Sequence, residues 1–371
     1  MKSLFFIIFV LSNLSCSSQT TTLENDLQPI EGSQGLESVE EKVWRFAIIS
    51  DLNKSYGSKD YDEPTNKAVD YILNKKNNID FVISTGDMVA GQKSGLDYLG
   101  MWEAFHNTVT RPLKKEGVAL YPSPGNHDAY RTRAIERKHY YDSWVKEDIT
   151  NVNPSFSLVK EVGHDYPFSY AYTMGSALFI SLDATDVRPL GEEDIVWLEK
   201  VLEKEKDKKH KFIYGHVPLL PFAFKKEKEY LARGSFDFLN KMEDLLEKYK
   251  VSVFFTGHSH VYYPGKRKGS TQYISVPLLG SGARYLIQKQ GLTKRSKTGF
   301  LVVEYSESGD LKIESLRSQD YSVIQDVELP EWLDMPRSNF GSCSGCSSFP
   351  SSMFLNSKKR IIYQRRKPKS F

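Results

Sequence analysis

Five short apolar runs recur along the chain, at residues 44–50, 81–85, 118–121, 211–214 and 251–256. Each run is rich in β-branched or aromatic residues, which is typical of a β-strand buried on both faces. Each is followed, directly or after a short turn, by a polar side chain that can bind a metal ion. A glycine often stands at that turn, where it lets the backbone change direction sharply.

The polar residues after these runs form an ordered set. The set comprises Asp51 and Asn53, then Asp87, then Asn126, His127 and Asp128, then His216, and finally His258 and His260. Binding sites in open α/β sheets form outside the carboxyl ends of the strands. We therefore expect these side chains to meet at one edge of a sheet.

Apolar residues spaced by three and four predict the helices of the chain. The predicted helices cover residues 64–77, 96–116, 192–208 and 236–250. In the second of them, Leu99, Trp102, Phe105 and Val109 form the predicted inward face.

The remaining segments complete the predicted domain. Residues 169–174 and 177–182 predict a hairpin, whereas period-two alternation predicts strands of a second sheet over residues 272–276, 299–305 and 311–316. Residues 129–170 are interpreted as an insertion that covers the core. One domain from 43 to 325 accounts for these elements.

The first residues are typical of an export signal rather than of a folded domain. A short basic start and the apolar run Leu4 to Leu11 are too short to span a bilayer as a mature helix. Cys16 follows small residues, as in a bacterial lipoprotein cleavage site, although Asn13 departs from that pattern. We predict a signal peptide over 1–16 with lipidation at Cys16, or else ordinary cleavage nearby, and a flexible tether over 17–42. The protein would then be exported and anchored to a membrane.

The last residues, 326–371, are rich in Pro, Ser and Gly and end in a basic segment. We predict a disordered tail, with weak attachment to an anionic lipid or polyanion surface as the alternative. Cys343 and Cys346 are interpreted as an internal disulfide or two free thiols. The net charge of +3 is too small to indicate nucleic acid as a partner.

The ordered set of polar motifs resembles the calcineurin-like metallophosphoesterases over about residues 44 to 305. The motifs are Asp51-x-Asn53, Gly86-Asp87, Gly125-Asn126-His127-Asp128, Gly215-His216 and Gly257-His258-x-His260. The resemblance implies an α/β fold, a four-layer α-β-β-α sandwich with two mixed β-sheets. It also implies a phosphatase or phosphodiesterase that uses two divalent metal ions (Mn, Fe, Zn or Mg).

The resemblance also implies a role for each matching residue. Asp51, His260 and Asp87 would hold the first metal with Asn53 beside it, and Asn126, His216, His258 and Asp87 would hold the second. Asp87 would bridge the two ions, and a metal-bound hydroxide would attack the phosphorus atom. His127 would stabilise the developing charge or protonate the leaving alkoxide, and Asp128 would orient His127 through its ring N–H.

Asn53 departs from the family pattern, in which many members carry histidine at this position. An amide oxygen is a harder and weaker ligand than an imidazole nitrogen, so the first site would favour Mn, Mg or Fe. Tyr56 and Arg284 are predicted to reach a substrate phosphate from flanking loops. The alternatives are a non-catalytic surface binding module on the same fold, and catalysis on a nucleic acid or lipid headgroup reached through the basic tail.

Overall fold

Two β-sheets form the centre of the structure, a computed structural model that describes residues 41–160, 162–267, 269–287, 295–336 and 359–365. These residues belong to one compact unit. The predicted signal peptide, nearly all of the predicted tether, and Cys343 and Cys346 lie outside the described residues. In the part of the chain that is described, no helix is long and apolar enough to span a membrane.

The strands are β1 (Val43–Ile49), β2 (Phe81–Ser84), β3 (Ala119–Pro122), β4 (Ser157–Leu158), β5 (Tyr170–Met174), β6 (Ala177–Ser181), β7 (His210–Gly215), β8 (Val253–Thr256), β9 (Tyr263–Lys266), β10 (Gln272–Ser275), β11 (Gly299–Ser306), β12 (Leu311–Arg317), β13 (Trp332–Pro336) and β14 (Lys359–Arg365). The α-helices are α1 (Glu63–Leu73), α2 (Tyr98–Phe105), α3 (Arg111–Lys115), α4 (Asn126–Ala129), α5 (Ala134–Glu147), α6 (Glu192–Lys204) and α7 (Phe236–Lys248).

Both sheets mix parallel and antiparallel pairs. The smaller sheet has the order β12-β11-β1-β2-β3, and its strands β1, β2 and β3 are parallel. The larger has the order β13-β14-β9-β10-β8-β7-β6-β5-β4, with β6, β7, β8 and β10 parallel. The prediction of a separate second sheet is wrong for β11 and β12, because β11 pairs with β1 in an antiparallel register.

Aromatic side chains fill the space between the two sheets. The ring of Phe46 on β1 lies 5.4 Å from that of Phe179 on β6 and 5.6 Å from that of Phe212 on β7. The neighbouring residues Leu178 and Ile213 point to the opposite face, into a separate core with α6 and α7. This alternation follows from the two-residue period of a strand. The predicted α/β sandwich with two mixed sheets is therefore confirmed.

The helix predicted over 96–116 is interrupted. A π-helical turn, His106–Thr110, separates α2 from α3. Trp102, Phe105 and Val109 are buried as predicted, but Leu99 is 69% exposed. The prediction of an inward-facing Leu99 is therefore wrong.

Two described segments of the predicted disordered tail, β13 and β14, are strands. β14 pairs with β9 and β13 pairs with β14, so the tail extends the larger sheet. Within β14, Ile362 and Tyr363 are buried. These two residues pack against the domain, although the composition of this region is basic. The prediction of disorder is wrong for β13 and β14.

Candidate metal centre

The predicted ligands meet between the two sheets rather than at the edge of one. Asp51, Asp87 and Asn126 follow β1, β2 and β3 of the smaller sheet, whereas His216 and His258 follow β7 and β8 of the larger one. Both sheets present the carboxyl ends of parallel strands here. The expectation of a single edge is therefore corrected to a site shared by two sheets.

Four of these residues have a left-handed backbone conformation, which side chains other than glycine rarely adopt. The φ angles are 50° at Asp51, 55° at Asp87, 62° at His258 and 53° at His260. Each such residue costs on the order of 1–3 kcal/mol and persists only where the surrounding structure enforces it. The chain accepts this strain at four candidate ligands, which is typical of a functional site.

Two glycines allow the loops to approach closely enough to form the site. A Cβ atom on Gly125 would lie 2.0 Å from the backbone nitrogen of Asp87 and 2.2 Å from its Oδ1. A Cβ atom on Gly257 would lie 2.3 Å from the Ser50 hydroxyl and 2.8 Å from Asp51 Oδ2. Gly125 and Gly257 are therefore required by contact between loops.

Asp51, Asp87 and His260 form one group of converging donor atoms, here called the Asp51 group. One donor atom from each lies within 4.8 Å of the others, and His260 Nε2 is 3.2 Å from Asp51 Oδ1. His260 Nδ1 is 3.2 Å from the Gly282 carbonyl oxygen, which would accept a proton on Nδ1 and leave the Nε2 lone pair for a bound cation. The backbone N–H of Asn53 donates to the Asp87 carbonyl at 3.2 Å, which places Asn53 beside this group.

Asp87, Asn126, His216 and His258 form a second group, here called the Asn126 group. Asn126 Oδ1 lies 2.9 Å from His216 Nε2 and 2.8 Å from His258 Nδ1. His216 Nε2 is also 3.2 Å from Asp87 Oδ2. Asp87 thus belongs to both groups, as a bridging carboxylate requires.

The proton positions in the Asn126 group fit a bound cation. His258 Nε2 lies 2.8 Å from Glu229 Oε2, and a carboxylate only accepts, so the ring proton belongs on Nε2. The lone pair of His258 Nδ1 then faces the amide oxygen of Asn126, which also accepts. Two acceptors at 2.8 Å with no proton between them are the arrangement that a cation stabilises.

The charged groups of the site also favour a bound cation. Burial alone would raise the pKa of Asp87, but the neighbouring His216 and His127 hold it well below its usual range. Burial opposes protonation of His216, yet Asp87 and Asp51 raise the pKa of His216 to about 9. A cation would compete with that proton for the Nε2 lone pair, so metal binding would release protons.

His127 and Asp128 do not form the predicted pair. Asp128 is fully buried, and its carboxylate accepts from the N–H groups of Met88 (2.8 Å), Val89 (2.9 Å) and Gly125 (2.8 Å). Burial raises the pKa of Asp128 to about 7. Asp128 therefore ties the loop after β2 to the loop after β3, and the prediction that it orients the His127 ring is wrong.

His127 is held by other groups. Its backbone N–H donates to Asp87 Oδ1 at 2.8 Å, and its Nδ1 lies 3.4 Å from the Gly91 carbonyl oxygen. The other ring nitrogen, Nε2, lies 4.0 Å from Asp87 Oδ2. His127 therefore stands beside the shared carboxylate, with Nε2 turned toward the site.

The two predicted substrate contacts lie beside two different histidines of the site, Tyr56 beside His127 and Arg284 beside His258. The Tyr56 ring is 5.4 Å from the His127 ring and 48% exposed, and Lys93 Nζ lies 4.0 Å from the Tyr56 ring centre. Arg284 donates to the His258 carbonyl at 3.5 Å. Burial lowers the pKa of Arg284, and the nearby carboxylates of Asp51, Glu229 and Asp87 oppose this effect.

Two supporting residues escaped the sequence analysis. The Ser50 hydroxyl donates to Asp51 Oδ2 at 2.6 Å and accepts from Thr85 Oγ1 at 2.7 Å. Its position directly before Asp51 is the signal that could have identified it. Glu229, which contacts His258, lies in a charged loop between β7 and α7 where the sequence shows no motif.

The two sheets and the two groups of donor atoms define a metallophosphoesterase-type α/β protein. The sequence model of the calcineurin-like phosphoesterase family matches residues 45–262, more than half of the chain, and the protein therefore belongs to this family. Membership confirms the predicted family.

Two known proteins show what this chain is similar to in sequence and in fold. A probable glycerophosphodiester phosphodiesterase, GpdQ, from Arcobacter nitrofigilis is 30% identical over 207 residues, which are 56% of this chain and 66% of that relative. The purple acid phosphatase PPD1 from yellow lupin (Lupinus luteus) seeds has a similar fold, with a TM-score of 0.55 at 18% identity, over 77% of this chain and 53% of that one. The chain thus matches just under two thirds of its curated relative and about half of the plant enzyme.

Proposed function

We propose that the protein hydrolyses phosphoesters with two divalent cations, one held by the Asp51 group and one by the Asn126 group. The observation that carries the proposal is the position of Asp87, whose carboxylate belongs to both groups. When bound, the cations would neutralise the phosphoryl oxygens and acidify the attacking water. The donor atoms are carboxylate, amide and imidazole, a mixed set that suits Mn, Fe, Zn or Mg.

His127 is proposed to protonate the leaving alkoxide. Its Nδ1 faces the Gly91 carbonyl, which favours a proton on that nitrogen and leaves Nε2 as the atom that exchanges protons with the substrate. Its backbone N–H donates to Asp87 Oδ1 at 2.8 Å, so the His127 backbone is held beside the shared carboxylate. An imidazole suits this task because its pKa ordinarily lies near neutrality.

Arg284 and Tyr56 are proposed to contact the substrate. In the described part of the chain the Arg284 guanidinium forms no salt bridge, and it lies near the carboxylates of Asp51 and Asp87. A phosphoryl group bound between the cations would supply the missing anion. A phosphodiester is the proposed substrate class, a choice supported by the name of the Arcobacter relative.

Export and anchoring are a separate proposal that rests on residues 1–16 alone. We propose that the protein is exported and held at a membrane by lipid on Cys16. Labelling cells with a radioactive fatty acid tests this proposal, because Cys16→Ala would abolish the label on the protein. Persistence of the label would contradict the assignment.

Hydrolysis of aryl phosphate monoesters and diesters tests the proposed activity. The full-length protein would be stripped of metal and refilled with Mn, Fe, Zn or Mg, beside Asp87→Asn. We expect metal-dependent turnover, with the diester preferred, and loss of turnover in the variant. Tight binding of two ions without turnover of either ester would instead favour the non-catalytic binding module.

A further inference from the structure

The loop between β7 and α7 reaches back to the candidate metal centre through one side chain. Glu229 Oε2 lies 2.8 Å from Nε2 of His258, a ring that is 5% exposed. The contact joins residues 29 positions apart in the sequence. No other carboxylate among the described residues forms an ion pair with His258.

The Glu229 carboxylate determines which nitrogen of His258 can bind a cation. An imidazole that is neutral carries one proton, and only a protonated Nε2 can donate to the carboxylate. The lone pair is then on Nδ1, the nitrogen that faces Asn126 Oδ1 at 2.8 Å. If the proton moved to Nδ1, that nitrogen would no longer be available as a ligand.

Glu229 is itself held in place by the loop. Its backbone N–H donates to the Lys226 carbonyl at 2.9 Å, and the Lys226 ammonium pairs with its carboxylate. The next residues are bound to the loop start, since Leu231 N–H donates to the Pro218 carbonyl at 2.9 Å. The turn therefore fixes the backbone at Glu229, and Lys226 and His258 hold its carboxylate.

We propose that Glu229 is a positioning residue that fixes the ring and the tautomer of His258 and thereby strengthens cation binding by the Asn126 group. The inference rests on the proposed function, because it concerns the second of the two proposed cations. Partners that orient a ligating histidine typically contribute about 10- to 100-fold to metal affinity. The Asp51 group has no contact with Glu229 in the hydrogen bonds of the described residues, so the effect belongs to one site only.

Calorimetric titration of Mn²⁺ into the metal-free full-length protein tests the inference. For Glu229→Ala we expect one of two binding steps to weaken by about 10- to 100-fold while the other keeps its wild-type affinity. Glu229→Gln keeps the side-chain shape and an acceptor oxygen that can face the Nε2 proton, so it should retain more of the wild-type affinity in this step than Glu229→Ala. Glu227→Gln is the matched control in the same loop and should leave both steps unchanged.

A second readout separates positioning from a general effect on folding. The visible absorption of bound Co²⁺ reports its ligands, and Glu229→Ala should alter the bands of one of the two ions. The melting temperature of metal-free Glu229→Ala should equal that of metal-free Glu227→Gln. Two wild-type steps in Glu229→Ala would overturn the inference and leave the proposed function intact. A wild-type protein that binds fewer than two ions would overturn both.

Discussion

Tyr363 is the residue through which the C-terminal strand supports the loop after His216. Its side chain is 1% exposed, and its ring stacks on Phe222 with centroids 4.1 Å apart. The hydroxyl donates to the Leu220 carbonyl at 2.9 Å and accepts from the Leu220 N–H at 3.2 Å. Replacing Tyr363 therefore tests whether the segment predicted to be a disordered tail is part of the folded domain.

The contacts set the expected size of the effect. Truncation of a buried aromatic side chain costs about 3–5 kcal/mol of the free energy of unfolding, so we expect that loss for Tyr363→Ala. Tyr363→Phe keeps the ring and removes only the partner of two buried backbone groups, which costs about 1–3 kcal/mol. Urea denaturation of the full-length variants, with equal m-values, measures both quantities.

The same change should reach the candidate site. The loop that contains Phe222 accepts from the Ile287 N–H at 2.9 Å, and the Arg284 N–H donates to the His260 carbonyl at 3.2 Å in the same segment. We therefore expect Tyr363→Ala, and removal of residues 351–371, to lower turnover of small soluble esters.

A matched control is available just after β12 of the other sheet. The Tyr321 hydroxyl donates to the Lys67 carbonyl at 3.0 Å, but its ring is 37% exposed, so Tyr321→Phe should change stability little. Wild-type stability and turnover in Tyr363→Ala would refute the packing of β14 against the domain. If Tyr321→Phe lost as much stability as Tyr363→Ala, the assay would not distinguish a buried tyrosine from an exposed one.

Three further predictions concern the site and its surroundings. His127→Ala should lower kcat by about 10²- to 10⁴-fold in ester hydrolysis and leave calorimetric metal affinity unchanged; equal loss of both would contradict its role as an acid. Gly257→Ala should abolish turnover with little change in circular dichroism, because the new Cβ would lie 2.8 Å from Asp51 Oδ2. Burial lowers the pKa of His106 to about 4 from its ordinary 6.5, so the folded state binds fewer protons than the unfolded state between these pH values. The free energy of unfolding should therefore fall by up to about 3 kcal/mol as pH falls through this window, and denaturation of His106→Gln should lack this component.

The sequence predicted the candidate ligands because each one follows its strand directly or after a short turn. Asp51 and Asp87 are local features of a strand and its turn, and the pattern of such turns can be found without knowing how the strands pair. The assignment of β11 to the smaller sheet depends on its pairing with β1. In this pairing Val43 lies opposite Ser306, more than 250 residues later in the chain. Pairing over such a separation leaves no local signal.

The residues around the ligands were harder to predict for a related reason. Asp128 stands beside His127 in sequence, but its carboxylate is directed at three backbone N–H groups that only the folded loops bring together. Glu229 lies in a charged loop, and in the sequence it cannot be told apart from a solvated carboxylate. Its contact with His258 is visible only in the structure. Roles that depend on a partner from another loop require the three-dimensional structure.

Crystallography with anomalous scattering at the Mn edge tests the central claim most directly, on the full-length protein soaked with Mn²⁺. We expect two anomalous peaks, one among the donor atoms of Asp51, Asp87 and His260 and one among those of Asn126, His216 and His258, with the Asp87 carboxylate between them. Asp87→Asn crystals should lose at least one peak. A single peak in the wild-type protein, or peaks away from Asp87, would contradict the proposed two-cation centre.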